Sequence, residues 1–149
     1  QIVINGDFYR CANFGGWKLF ENFGGMDFIA APPGGQSGSI GVKIEPCLDP
    51  DGKLYPFFTQ ALLESQIKRL QPEGAFYKGD VPTLSGEVTT VELDHLRFEG
   101  KRVWKCHYVL RLVGDRLWIF ACEAPPDHYD MVFQKLALLT GTFVSTLKE

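Results

Sequence analysis

The stretch Trp104 to Pro126, "WKCHYVLRLVGDRLWIFACEAPP", gathers two cysteines, a histidine and two tryptophans around a short polar turn. A thiol beside an imidazole is the pairing of a cysteine nucleophile and its base, and cysteine with histidine is also a zinc ligand set. Spacing decides against both. Cys106 and His107 are sequence neighbours, and neighbours on a strand point to opposite faces, so they form no dyad. The four cysteines, at 11, 47, 106 and 122, are 36, 59 and 16 residues apart, whereas zinc sites usually set two of them about two to four apart. If "VGDR" or "VGD" closes a hairpin, residues whose numbers sum to about 228 or 229 face each other, and Cys106 with Cys122 makes 228. The two are then directly opposed or one residue out of register. This predicts a Cys106–Cys122 disulfide, with Cys11–Cys47 as the complementary bridge.

Other candidate chemistry is weaker still. His95 in "LDHLRF" and His128 in "PPDHYD" each adjoin an aspartate that could orient an imidazole as a general base. No serine sits in a G-x-S-x-G setting, and both histidines read as surface residues. Counted from Asp49, "CLDPDGKLYPFF" has Leu54 and Gln60 where a calcium loop needs glycine and glutamate. Asp49 and Asp51 are expected instead to cap or charge-complement a helix N-terminus. "PPGGQSGS" lacks the GK[ST] ending of a phosphate loop and precedes a strand, so it reads as a flexible connector and contact loop. No catalytic residue, metal or cofactor is expected.

These residues sit in a chain of 149 amino acids with 45% hydrophobic and 22% charged residues, which predicts one folded domain spanning 1–149. The net charge is −3 and the 15 Lys and Arg are scattered, so no basic stripe tracks a phosphate backbone and nucleic acid is not an expected partner. No uncharged run approaches the roughly 18 residues of a membrane span. A first residue that is Gln and an even number of cysteines favour an exported mature protein, periplasmic or secreted, over the competing reading of a cytosolic domain with four free thiols.

The elements follow from periodicity. Short strands are predicted near 17–21, 27–31 and 39–46, the first two as a hairpin, and "SIGVKIEP" alternates Ile40, Val42 and Ile44 with Gly41, Lys43 and Glu45. A helix is predicted over 54–71, stopped by Pro72 and Gly74. Three long strands then form a meander turning at "FEGKR" and "VGDR". A second helix begins at Asp127 as N-cap and stops near Gly141. The expected class is α+β: an antiparallel sheet with a long meander, covered by two helices on opposite faces or on one. The opening aromatics Phe14, Trp17, Phe20, Phe23 and Phe28 are expected in the core.

The hairpin "GGWKLFENFGGMDFIAAPP", the strand "SIGVKIEP", the helix "LYPFFTQALLESQIKRL", the meander and the closing "KLALLTGTFVSTL" together resemble the PsbP-like α/β/α sandwich group, which includes the bacterial DcrB-type proteins. The resemblance implies non-enzymatic work: partner binding, assembly, or service in the envelope. In size and pattern the chain also resembles exported immunity proteins that guard bacteria against wall-degrading type VI effectors. The function expected is therefore a periplasmic, non-enzymatic protein that binds another protein, most concretely an immunity-type inhibitor blocking the active-site groove of a peptidoglycan hydrolase. An envelope or photosystem-type assembly factor is the alternative. A carrier with an apolar pocket beneath Phe57, Phe58 and Trp104 is a second one. Partner contacts are expected on three proline-bearing loops, at Gln36 and Ser37, on the acidic loop at Glu45, Asp49 and Asp51, and at Glu123, Asp127, His128 and Asp130.

Overall fold

Period-two stretches become strands and the two amphipathic stretches become helices. The computed structural model describes residues 2–71 and 76–146, with only the backbone of residue 76. In chain order the elements are β1 (Ile2–Ile4), β2 (Asp7–Arg10), β3 (Lys18–Phe23), β4 (Met26–Ala31), β5 (Ser39–Pro46), α1 (Gln60–Leu70), β6 (Phe76–Lys78), β7 (Thr90–Glu99), β8 (Arg102–Val113), β9 (Arg116–Ala124), α2 (Pro126–Thr142) and β10 (Val144–Thr146). The expected stop at Pro72 and Gly74 lies outside the described residues.

Seven strands form one antiparallel sheet in the order β3-β4-β5-β9-β8-β7-β6. Its two faces are sorted by strand alternation. On β9, Trp118, Phe120 and Cys122 face a core shared with Val132, Leu136 and Leu139 of α2. Leu117 and Ile119 face the opposite core, shared with Leu62, Leu63 and Ile67 of α1. The two helices thus cover opposite faces, and the class is α+β with an α/β/α layering. Each large apolar side chain buried this way contributes roughly 1.5–3 kcal/mol.

Several boundaries differ from expectation. Leu54 is outside α1 and 55% exposed, bridging to Leu48, because Pro56 holds the residue before it extended and the chain waits for a cap. Thr59 supplies it, its hydroxyl accepting the Leu62 N–H at 3.1 Å. Asp49 accepts from the N–H groups of Asp51 and Lys53 and so holds its own loop rather than a helix end. Asp127 is not the N-cap of α2: Pro125 takes that place without a side-chain bond, and Asp127 lies in the first turn, where its charge still suits the dipole. A second, three-stranded sheet, β1-β2-β10, was not predicted. It joins the two ends of the chain, with Tyr9 wedged among Trp118 and Phe143, and the Ala12 N–H donating to Thr142 Oγ1 at 2.8 Å.

The register of β8 and β9 overturns the expected disulfides. Their turn is the two residues Gly114–Asp115, with Gly114 at φ 60°, so Val113 pairs with Arg116 and paired numbers sum to 229. Cys106 therefore opposes Glu123, and Cys122 opposes His107. One step of register puts the two thiols on opposite faces, Cys106 in the α1 core and Cys122 in the α2 core. Cys11 and Cys47 are divided between the same two cores, and all four cysteines are free. Burial pushes the Cys106 thiol up to about 11 and the Cys122 thiol up to about 12, so both stay protonated.

Candidate functional site

The nine residues expected to contact a partner separate into two groups. Ser37 donates its N–H to His128 Nδ1 at 3.1 Å, tying the 32–38 loop to the start of α2. Gly38 makes that approach possible, since a Cβ there would lie 3.0 Å from the Glu123 carbonyl and from Val132. Gln36, Ser37, Glu123, Asp127, His128 and Asp130 are thus brought to the β5 start, where Ser39 pairs with Glu123. Glu45 lies near the other end of that eight-residue strand, about 20 Å away at the usual strand rise, and Asp49 and Asp51 lie beyond it. Two of the nine are held by arginines. Arg69 grips Glu45 through both guanidinium nitrogens at 2.6 and 2.9 Å, and Arg97 grips Glu123 at 2.9 and 3.2 Å. His128 is half-buried, not a free surface histidine.

An open groove lies elsewhere, and sequence reasoning missed it. α1 is only eleven residues long and packs on β7, β8 and β9, leaving the β4–β5 half of the same face bare. The result is an open groove of about 440 Å³. Its floor is Met26 and Ile29 of β4, Gly41 and Lys43 of β5, and Ile119 and Ala121 of β9. Arg69 and Leu70 of α1 form one wall, Tyr77 and Tyr108 an end, and the β3–β4 turn at Gly24 and Gly25 the outer lip. Gly41 lets Met26 lie across β5, because a Cβ there would be 2.8 Å from the Met26 methyl. Lys43 was legible as the polar half of the "SIGVKIEP" alternation. The signal that its face is a groove was the run of small residues, Gly41 and Ala121, on that same side.

Beside the groove, polar groups are held by one another. Arg97 also reaches Glu99 at 3.2 Å and stacks on Trp104 at 5.0 Å, with Arg102 on the same ring at 5.1 Å. His95 is 3% exposed, against the expectation of a surface histidine, because alternation sets it inward with Val91 and Leu93. It fits only because residue 79 is glycine: a Cβ would stand 2.2 Å from the His95 ring. Gln71 donates to His95 Nδ1 at 3.3 Å, and Nε2 has no partner among the described residues. Burial holds this imidazole below its ordinary 6.5, with the Asp94 charge opposing. Burial likewise raises the Tyr108 and Tyr77 hydroxyls, keeping both protonated as donors.

On the α2 face His107 stands between two carboxylates, Nδ1 at 2.7 Å from Asp94 and Nε2 at 3.0 Å from Glu92, with its ring edge-on to Phe133. Carboxylates only accept, so both contacts are hydrogen bonds when the ring carries both protons. Asp94 is the direct cross-strand partner of His107 and Glu92 its diagonal neighbour. No group of His, Cys, Asp and Glu among the described residues is arranged to hold a metal ion, and no helix among them is long and apolar enough to cross a membrane. The space beneath Phe57, Phe58 and Trp104 proposed for a carrier is not the groove: Phe58 is 2% exposed within the α1 core, and none of the three lines the groove.

A seven-stranded antiparallel sheet between two helices, with this element order, is a PsbP-like fold. Two solved structures share it: the solution structure of the cyanobacterial PsbP (CyanoP) of Synechocystis, with a TM-score of 0.62 and 14% identity over 97% of this chain and 91% of that one, and LpqN of Mycobacterium tuberculosis, described as involved in cell envelope biogenesis, with a TM-score of 0.61 and 11% identity over 93% of this chain and 83% of that one. No protein-family model and no curated protein sequence matches the chain. The likeness is therefore one of fold.

Proposed function

We propose that this is a non-catalytic protein of the cell envelope that works by binding another protein, as an assembly or maintenance factor. The observation that carries the reading is the contrast within the groove. Its acids and arginines are already paired with each other, and its neighbouring thiol and imidazole are held uncharged, while its apolar floor stays open. Such a surface binds without reacting. The envelope part leans on the likeness to LpqN, since four free thiols no longer argue for an oxidising compartment. Placing a photo-crosslinking residue at Phe23 on the groove's outer lip, in the native host, tests it. A discrete envelope protein captured at Phe23, and not from a probe at Lys101 on a distant turn, is the expected result. No crosslink above the Lys101 control would remove the reading.

A second, narrower reading has one observation in its favour. Asp127 and Asp94 have side chains 81% exposed and Glu92 63%, and with Asp130 they give the α2 side an acidic flank. Such a flank complements the basic, glycan-binding groove of a wall-degrading effector, as an immunity protein requires. Co-expression with the product of an adjacent gene decides it: survival that is lost on reversing Asp94, Asp127 and Asp130 to lysine supports inhibition, and killing unaffected by the wild-type protein excludes it.

A further inference from the structure

The carboxylates in and beside the groove are taken, Glu45 by Arg69 and Glu123 by Arg97. Lys43, by contrast, projects into the floor half-buried, and among the described residues its ammonium has neither carboxylate nor hydrogen-bond partner. Tyr77 adds a protonated hydroxyl at one end. A lysine side chain beside Met26, Ile29, Ile119 and Ala121, unpaired among the described residues, suits an anion next to apolar groups.

The outer lip extends the apolar part. Residues three apart on a regular strand point to opposite faces, yet the rings of Phe20 and Phe23 lie 5.7 Å apart. The cause is Asn22, at φ 49°, whose left-handed turn of the chain swings Phe23 to the side of Phe20. Phe20 opposes Ile29, which lines the groove, so the pair continues the trough outward. Phe20 is 36% exposed and Phe23 59%, and Lys18 stands over the Phe20 ring at 5.4 Å. Every β3 residue is exposed. Exposed aromatics rimmed by lysines mark a docking surface rather than a solvated edge.

We propose that this groove receives a short acidic–apolar segment of a partner protein, its large apolar side chains laid on Met26, Ile29 and the Phe20–Phe23 pair and a carboxylate on Lys43. The inference rests on the protein-binding reading and names the chemistry of what is bound. A volume of about 440 Å³ lies in the range of roughly 300–1,000 Å³ typical of ligand sites, enough for a few side chains but not a folded domain. Lys18 and Lys43 disfavour a basic segment, since each like-charge contact would be unfavourable.

The test titrates the whole chain with three probes: a blocked octapeptide alternating leucine and glutamate, the same peptide with lysine for glutamate, and phenylpropionate. Binding is followed by backbone amide NMR. The leucine–glutamate peptide is expected to saturate, shifting the amides of Met26, Gly41, Lys43 and Ala121, and to bind at least about tenfold more tightly than its lysine counterpart. Lys43→Glu should weaken it about tenfold without changing the thermal midpoint, and Phe20→Ser with Phe23→Ser should weaken it further. Equal affinity for both peptides, indifference to Lys43→Glu, saturation by phenylpropionate alone, self-association of the chain through β3, or no saturation at millimolar peptide would each overturn the proposal. An envelope partner whose capture survives Lys43→Glu would sink this inference while leaving the protein-binding reading intact. Peptide binding with no partner in the host would do the reverse.

Discussion

Native-state thiol reactivity discriminates sharply between the observed register and a stapled hairpin. The reagent is dithiodipyridine at pH 8, read by the mass of each cysteine peptide over time. Two effects slow Cys106 and Cys122. The first is ionisation: moving a thiol from 9.0 to about 11 lowers its thiolate fraction about a hundredfold, and to about 12 about a thousandfold. The higher basicity returns part of that, since nucleophilicity rises with a Brønsted slope near 0.45, leaving net factors of about ten and about forty. The second effect is access. Both residues are 2% exposed on central strands of the sheet, and a reagent reaches them only after those strands open. An opening of about 5 kcal/mol alone slows the reaction by three to four powers of ten. Access therefore outweighs ionisation. Cys11, half-buried outside any strand, should react first; Cys47, buried at the end of β5, later; Cys106 and Cys122 at least about a thousandfold more slowly than Cys11. In urea all four should react together. A disulfide-linked peptide in the non-reduced digest, or Cys122 reacting within tenfold of Cys11 in the native protein, would refute the register and the reasoning built on it.

Three further outcomes follow from packing and capping. Gly79→Ala should destabilise by about 1–3 kcal/mol in urea unfolding, because its methyl would meet the His95 ring and the Asp94 carbonyl, and only the ring's share of that loss should vanish in a His95→Ala background. Thr59→Ala should cost about 1 kcal/mol through loss of the cap to Leu62, with no change in peptide binding at the groove. Burial lowers the His95 proton affinity in the folded state, so below the ordinary 6.5 the unfolded chain binds more protons than the native one. Stability should then fall as pH drops from 7 toward 5, and the urea midpoint of His95→Gln should fall less over the same interval; parallel slopes would count against it.

What was legible in the sequence depended on the range of the interactions that decide it. β5 and the meander strands were visible because period two and turn dipeptides are local, and β5 fell on the predicted 39–46. The start of α1 was misplaced because apolar spacing continues backward through Phe57 and Leu54, while the deciding fact was a single cap at Thr59. The small sheet carried a readable sign, Asn5–Gly6 between apolar runs, with both residues at positive φ. Its third strand, β10, had no local sign, since three residues after a helix gain strand character only from β2. The cysteine pairing failed by one unit of register, which alternation converts into the full thickness of the sheet. The groove was only hinted at, by small Gly41 and Ala121 on one side: it arises where α1 stops short, and Lys43 looks like any outward strand residue until the neighbouring layer is known.

The pairing of β2 with β10 also orders events during synthesis. Arg10 meets Val144 and Phe8 meets Thr146, partners separated by more than 130 positions. As the chain emerges, the first hairpin can close, yet Tyr9 has no Phe143 to stack against until residue 143 has been made. The meander, with neighbours only a turn apart, faces no such delay. Fastening of the β1–β2 ribbon is thus a late step, and a released chain cut before residue 143 would leave that ribbon without its cover, accessible to proteases and chaperones.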